Sequence, residues 1–323
     1  MKVFSGSSHP AFANAICDYL GMELGKSHTV TFSNENMLVQ IEENVRGSDV
    51  FVVQTSCPPV HVHLFEMLIM IDALRSASAE RITAVIPYFP YIRSDKKDRP
   101  RISITARLMA DLLKTSGADR VLTMDLHTPQ AQGFFRMPVD QLQGAGPLCA
   151  RLERDKEDDW ILIAADAGEA KDLGRYANRL DLPMAIIDKR RDGDDEKPRA
   201  VNLIGDVAGK TAVVVDDEIA SGGTLIEAAT FLKKRGATKV LAVATRPVFS
   251  VNAPTRIATA PIEQVFVTDT IPAELPPDSN IEVVSVASMF AEAITRIHDG
   301  SSVSSLFKPD TLREILQKDT IED

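Results

Sequence analysis

The sequence predicts an α/β protein of two domains, each a mainly parallel sheet flanked by helices. Three observations carry this reading. The chain has 323 residues, too many for one small core and suited to about two ordinary domains. Short β-branched runs alternate with helical periods, the order that lays helices over parallel strands. The alternation then runs a second time, after the turn formers Gln143-Gly144-Ala145-Gly146-Pro147. The expected division is residues 1–144, residues 145–285, and a last helix and tail over 286–323 that pack back on the first domain.

In the first half, Val50-Phe51-Val52-Val53, Ile82-Thr83-Ala84-Val85-Ile86 and Val121-Leu122-Thr123-Met124 read as strands. A helix is expected from about His63 to Leu74. Another places Ile104, Leu108 and Leu112 on one apolar face and stops at Gly117. In the second half, Ile161 to Ala165, Ala185 to Ile187, Thr211 to Val215 and Val240 to Ala244 read as strands. Helices are expected up to Leu180, from about Gly223 to Arg235 with Gly236 closing it, and from about Ser288 to Ile297.

Hydrophobic residues make up 44% and charged residues 25%, the range of globular proteins. The formal net charge of −10 argues against nucleic acid or an anionic membrane as a general partner. Any phosphate ligand therefore needs local positive charge. Cys17, Cys57 and Cys149 are odd in number and widely spaced, which speaks against a disulfide framework and suits a reducing cytoplasm. The N-terminal residues read as neither a signal nor a transit peptide. No apolar run approaches the roughly 20 residues of a membrane span.

The most specific local signal is Val213-Val214-Val215-Asp216-Asp217-Glu218-Ile219-Ala220-Ser221-Gly222-Gly223-Thr224. A strand ends in two carboxylates, and a glycine-rich turn opens a helix. Backbone N–H groups from Ala220 to Thr224 suit a phosphate at the positive end of the helix dipole. Gly222 and Gly223 permit close approach, and Ser221 and Thr224 add hydroxyls. Asp216 and Asp217 would repel phosphate but accept hydrogen bonds from a vicinal diol. A sugar phosphate such as ribose 5-phosphate meets both needs. A Gly-Gly turn alone is commonplace; the whole combination is not.

Two basic runs stand out on this acidic chain. Pro90 to Arg101 carries Arg93, Lys96, Lys97, Arg99 and Arg101, and Arg93 could stack on a base or bind phosphate. A solvated charged loop is the plainer account of the same run. Lys189-Arg190-Arg191 follows a strand, where α/β sheets bind ligands, and could neutralise a transferred diphosphate. Met124-Asp125-Leu126-His127 and Asp166 end strands with possible magnesium ligands. His61 and His63, two apart at a helix start, point different ways and read as structural.

Taken in order, these segments resemble the ribose-phosphate pyrophosphokinases (phosphoribosyl pyrophosphate synthetases) over nearly the whole chain. The resemblance also takes in Glu43 to Gly47, Thr83 to Phe89, Asp95 to Asp98, Gln132 to Phe135, Gly205 to Val207 and Asp269 to Pro272. It implies two phosphoribosyltransferase-like domains. It also implies transfer of the β,γ-diphosphate of ATP to the C1 hydroxyl of ribose 5-phosphate, with release of AMP. By the same resemblance, Phe32, Asn34 and Asn36 would reach ATP from a neighbouring subunit, while Arg93, Ser94 and Asp95 hold it within the subunit. His127 and Asp166 would bind Mg2+, and Lys189 and Arg191 would stabilise the transition state. Asp216 and Asp217 would hold the ribose hydroxyls. Ala220, Ser221, Gly222, Gly223 and Thr224 would hold the 5-phosphate. A homohexamer built from dimers is implied. So is a site for phosphate or ADP effectors near Arg46, Ser103, Ser302, Ser304 and Phe307.

The sequence departs from that pattern at Asn36 (usually Glu), Ser94 (Gln), Glu169 (Gly), Arg246 (His) and Val251 (Gly). Ala220 stands where many members have Asp. Two other readings remain open: a silent regulatory paralogue that binds active subunits, and a phosphoribosyltransferase. The N-terminal half, with loops such a transferase does not need, weighs against the second.

Overall fold

Alternating apolar residues decide the architecture, because neighbouring positions on a strand feed opposite faces of a sheet. In a computed structural model, which describes residues 1–165, 170–190 and 199–319, the chain forms two compact units. Unit 1 comprises residues 1–143, 270–272 and 286–323; unit 2 comprises 144–269 and 273–285.

Unit 1 begins with β1 (Lys2–Ser5), α1 (Pro10–Leu20) and a hairpin of β2 (Ser27–Thr31) and β3 (Met37–Ile41). It continues through β4 (Asp49–Val53), α2 (Val60–Ser76), β5 (Arg81–Ile86), α3 (Thr105–Ser116), β6 (Arg120–Met124) and β7 (Val139–Leu142). Its sheet has the order β1-β4-β5-β6-β7, with every pair parallel. Strand β4 is buried throughout, as expected of a strand covered on both faces. Val50 and Val52 enter a core with Met67, Ile71 and Leu74 of α2. Phe51 and Val53 enter a second core with Phe12 and Ile16 of α1.

Unit 2 opens with α4 (Ala145–Leu152), so Ala145-Gly146-Pro147 form a first helical turn rather than a loop. Then come β8 (Trp160–Ala164), α5 (Ala170–Leu180), β9 (Met184–Arg190) and β10 (Arg199–Ile204). The chain continues with β11 (Thr211–Glu218), α6 (Gly223–Lys234), β12 (Lys239–Arg246), α7 (Ala253–Ala258), β13 (Gln264–Thr268) and β14 (Ile281–Val284). The sheet order is β10-β9-β8-β11-β12-β13-β14. It is parallel except for the β9–β10 pair, which is antiparallel. From β8 the chain runs outward one way through β9 and β10, then returns to β11 and runs out the other way. The strand order thus reverses between β8 and β11. Crevices at such reversals, beyond the strands' C-terminal ends, are where open α/β sheets bind ligands.

The chain then returns to unit 1 with α8 (Ala287–Asp299) and α9 (Pro309–Asp319). Phe290 and Ile294 of α8 are fully buried in the core beside α1. The rings of Phe12 and Phe290 meet edge to face, with centroids 5.4 Å apart.

One expectation needs correcting. Ile104, Leu108 and Leu112 do not form the buried face of α3. Ile104 is the residue before the helix, Leu108 is 45% exposed, and the helix buries Ala106, Met109, Ala110 and Leu113 instead. Both stripes have helical spacing, and periodicity alone favours the larger aliphatic residues; the core accepts the stripe that contains two alanines.

Candidate functional site

The acidic end of β11 and the turn after it sit beside the strand reversal. Burial is complete from Thr211 to Val215 and partial from Asp216 to Glu218. The apolar run anchors the strand, and the acids emerge where the sheet ends. The Asp217 N–H donates to Asp216 Oδ1 at 2.8 Å, fixing one carboxylate across the backbone. Gly222 is the residue before α6 and has φ +73°. That left-handed turn suits glycine, and a Cβ there would also lie 3.3 Å from Ile257. The turn opens α6 with no side-chain cap at Gly222, and the first N–H groups of a helix, here near Ser221, Gly223 and Thr224, lack partners within it, the arrangement that binds anions.

A second strap holds this loop. Ile219 N–H donates to the Arg246 carbonyl (2.9 Å), Phe249 N–H to Ile219 (3.0 Å) and Ser250 N–H to Ala220 (3.0 Å). The Arg256 guanidinium donates to the Ser221 carbonyl. The Arg246 guanidinium hydrogen-bonds Asp217 Oδ2, and its Nε lies 3.6 Å from Glu218 Oε2. Arg246 and Glu218 are also register partners across β12 and β11. No motif spacing announces Arg246 or Arg256 as neighbours of this loop; the pairing of β12 with β11 brings Arg246 there, and α7 carries Arg256.

In unit 1, the residues expected on the nucleotide side divide between two places. Phe32, Asn34 and Asn36 stand on the exposed turn of the β2–β3 hairpin. Phe32 is 48% exposed, and the turn is closed by Phe32 N–H to Asn36 O at 2.8 Å and Asn36 N–H to Asn34 Oδ1 at 3.2 Å. Arg93, Ser94 and Asp95 lie on the loop between β5 and α3, where Arg93 is exposed. Ser94 anchors the start of α3: Ala106 N–H donates to its carbonyl (3.2 Å), and its hydroxyl is 3.3 Å from Thr105 Oγ1. Asp95 Oδ2 accepts from the Thr128 hydroxyl at 2.6 Å. That bond ties the basic loop to the residue following His127, at the end of β6. Thr128 had no signal in the sequence, since its value is in joining two loops.

His127 is half-buried two residues beyond Asp125. A Mg2+ ion carried by a polyphosphate takes one or two protein carboxylates and keeps several waters. The donor types suit the ion: Asp95 and Asp125 carry oxygens of that kind, and His127 can act through water. Among the described residues, no group of three or more His, Cys, Asp and Glu side chains gathers into a ready cage. Asp166, Glu169 and Arg191 lie outside the described residues. Lys189 is in β9, opposite Ala200 of β10.

Arg46, Ser103, Ser302, Ser304 and Phe307 are all in unit 1. The hydroxyls of Ser302 and Ser304 are 2.8 Å apart. Arg296 donates to Ser305 Oγ at 2.7 Å and steadies that turn. The Ser103 carbonyl is 3.4 Å from the Ser94 hydroxyl, next to the nucleotide-side loop. Arg46 N–H donates to Asn44 Oδ1 at 3.0 Å in an exposed turn. His63 Nδ1 lies 2.9 Å from the Cys57 carbonyl.

Comparison with known proteins gives a consistent result. Residues 1–117 match the N-terminal domain of ribose phosphate pyrophosphokinase, and residues 194–308 match the phosphoribosyl synthetase-associated domain. The chain is 48% identical over 317 residues to the ribose-phosphate pyrophosphokinase of Caldanaerobacter subterraneus subsp. tengcongensis, covering 95% of this chain and 98% of that one. The Deinococcus radiodurans protein of the same name is likewise 48% identical over 317 residues, with the same coverage. The crystal structure of phosphoribosylpyrophosphate synthetase from Mycobacterium smegmatis superposes with a TM-score of 0.86 at 38% identity, over 93% of this chain and 99% of that one.

Proposed function

The chain belongs to the ribose-phosphate pyrophosphokinase family, and from that premise we propose that it transfers the β,γ-diphosphate of ATP to ribose 5-phosphate. The products are 5-phosphoribosyl 1-pyrophosphate and AMP. The observation that carries this reading is the end of β11. Two carboxylates run directly into a left-handed glycine and a helix N-terminus, beside the strand reversal.

The chemistry follows from charge. The N–H groups from Ala220 to Thr224 hold the 5-phosphate, and Asp216 and Asp217 accept hydrogen bonds from the ribose hydroxyls. That grip orients the C1 hydroxyl for in-line attack on the β-phosphorus, so positioning replaces a protein nucleophile. Arg93, Ser94 and Asp95 form the nucleotide side, joined by Phe32, Asn34 and Asn36 of a neighbouring subunit. Lys189 and Arg191 neutralise charge that develops on the transferred group. Mg2+, with Asp166 and His127 among its holders, would supply further neutralisation of the phosphates. The exposed hairpin turn with Phe32 supports assembly into a homohexamer built from dimers. Arg46, Ser103, Ser302, Ser304 and Phe307 form a phosphate or ADP effector site. Three buried free cysteines support a reducing, cytoplasmic setting.

The test is product analysis with ATP, ribose 5-phosphate and magnesium, with and without added phosphate. AMP formed in step with phosphoribosyl pyrophosphate is the expected outcome. ADP in place of AMP would mean transfer of a single phosphoryl group and would end the proposal. Lys189→Ala should lower kcat by about a hundredfold or more with little change in ATP affinity, because its cation acts on developing charge. Single-turnover kinetics against nucleotide binding separates the two.

A further inference from the structure

Arg246 combines three properties rarely found together in a side chain outside the reacting groups. Its side chain is 1% exposed. It hydrogen-bonds Asp217, one of the two carboxylates assigned to the sugar diol. Its Nε also lies 3.6 Å from Glu218, whose side chain is 7% exposed. Buried guanidinium groups are costly to desolvate and persist where their partners are built in. Here the partners belong to the run Asp216-Asp217-Glu218, three adjacent carboxylates at one strand end. Without a cation beside them they would repel one another and any incoming sugar phosphate.

Resting on the synthetase reading, we infer that Arg246 is a positioning residue for the ribose site: it orients Asp217 toward the sugar and offsets the charge of the acidic run. A carboxylate has about four acceptor positions, so the bond from Arg246 to Oδ2 does not by itself fill Asp217. The guanidinium fork is suited to two carboxylates on one strand, whereas an ammonium is a single point charge. The Arg246 backbone takes part as well, since its carbonyl accepts the Ile219 N–H at 2.9 Å. One residue thereby sets both the acids and the start of the phosphate turn. Arg246 is separated from that run by nearly thirty positions, so its pairing with the acids is not legible from local spacing.

The experiment measures KM for ribose 5-phosphate and for ATP in the full-length protein, with calorimetric binding of ribose 5-phosphate alongside. The variants are Arg246→Met, Arg246→Lys, Asp217→Asn and Arg246→Met with Asp217→Asn. Arg246→Met should raise KM for ribose 5-phosphate by about tenfold and leave KM for ATP within about twofold. Arg246→Lys should fall between Arg246→Met and the natural protein. Adding Arg246→Met to Asp217→Asn should cost much less than it does alone, since the two residues act as a unit. If the methionine variant does not fold, Arg246→Lys, alone and with Asp217→Asn, carries the same comparison. A folded lysine variant with unaltered KM and affinity for ribose 5-phosphate, or full additivity in the double variant, overturns the inference alone. A natural protein that neither binds ribose 5-phosphate nor forms AMP from ATP overturns the synthetase reading and the inference with it.

Discussion

Val251 shows what one departure from the family pattern does to the chain. It is 75% exposed and has φ +54°, between Phe249 at +43° and Asn252 at +56°. A β-branched residue in that region is strained, and the strap it belongs to also holds the phosphate turn through Ser250. Val251→Gly should raise stability by about 0.5–1 kcal/mol, the left-handed penalty less the entropy of glycine. Thermal unfolding would show it as a higher midpoint. An unchanged or lower midpoint would mean that the valine carries no strain. The sequence identifies Val251 as an odd residue, but it cannot show the dihedral angle. The same holds for the site as a whole. Asp216 to Thr224 are legible because they are contiguous and each residue type has a chemical reason to be there. Arg256 and Thr128 are not, because their partners lie far along the chain; Arg246 stands out only as a departure from the family pattern in the ribose-binding region, with nothing to show its bond to Asp217.

At the scale of elements, the strands with continuous apolar runs, β4, β5, β6, β8, β11 and β12, could be read directly. So could α2, α6 and most of α8. Several of the missed elements have weaker physical signatures, although α1 and β13 do not. Strands β1, β7 and β14 have four residues each, too few to show a period. The β2–β3 hairpin is half-buried or exposed at every position but Val39. The polar tail conceals α9, which meets the core through Leu312 and Ile315. The docking of α8 rests partly on a charge cluster. Asp49, on β4, accepts from Arg81 Nε and from His298 Nδ1, both at 2.8 Å. Arg81 also donates to the Ile297 carbonyl at 2.9 Å. Burial pushes the Asp49 carboxyl up, but the hydrogen bonds from Arg81 and His298 outweigh it and hold the group below its usual range. A depressed carboxyl stabilises the fold fully above the unfolded value near 4 and loses that contribution as pH falls through the folded value. Asp49→Asn should therefore cost about 1–3 kcal/mol at neutral pH. The gap from the natural protein should close as the medium is acidified below about pH 4. Urea unfolding across that range tests it; a gap that stays constant would rule out the ionised carboxyl as its source.

At the scale of the whole molecule, the three cysteines report on both units. Cys17 and Cys57 lie in unit 1 and Cys149 in unit 2, and all are buried and free. Burial pushes Cys149 up to about 12 and Cys17 up to about 11, and raises Cys57 as well. Little thiolate is present near neutrality, so these thiols should resist alkylation while folded. In rising urea, Cys17 and Cys57 should become reactive together, and Cys149 when unit 2 opens. Mass spectrometry after brief exposure to iodoacetamide reads each site. Rapid labelling of any one in the native protein would contradict its burial.

The discontinuity of unit 1 gives the order of synthesis a part in folding. A ribosome makes its sheet first and its closing helix last, with all of unit 2 emerging in between. Until α8 appears, Val3, Phe12, Phe51 and Val53 have no Phe290 or Ile294 to cover them. The half born first is thus the half completed last. During translation the nascent chain presents a greasy face over more than a hundred codons, the circumstance in which chaperone capture or misassociation competes with folding.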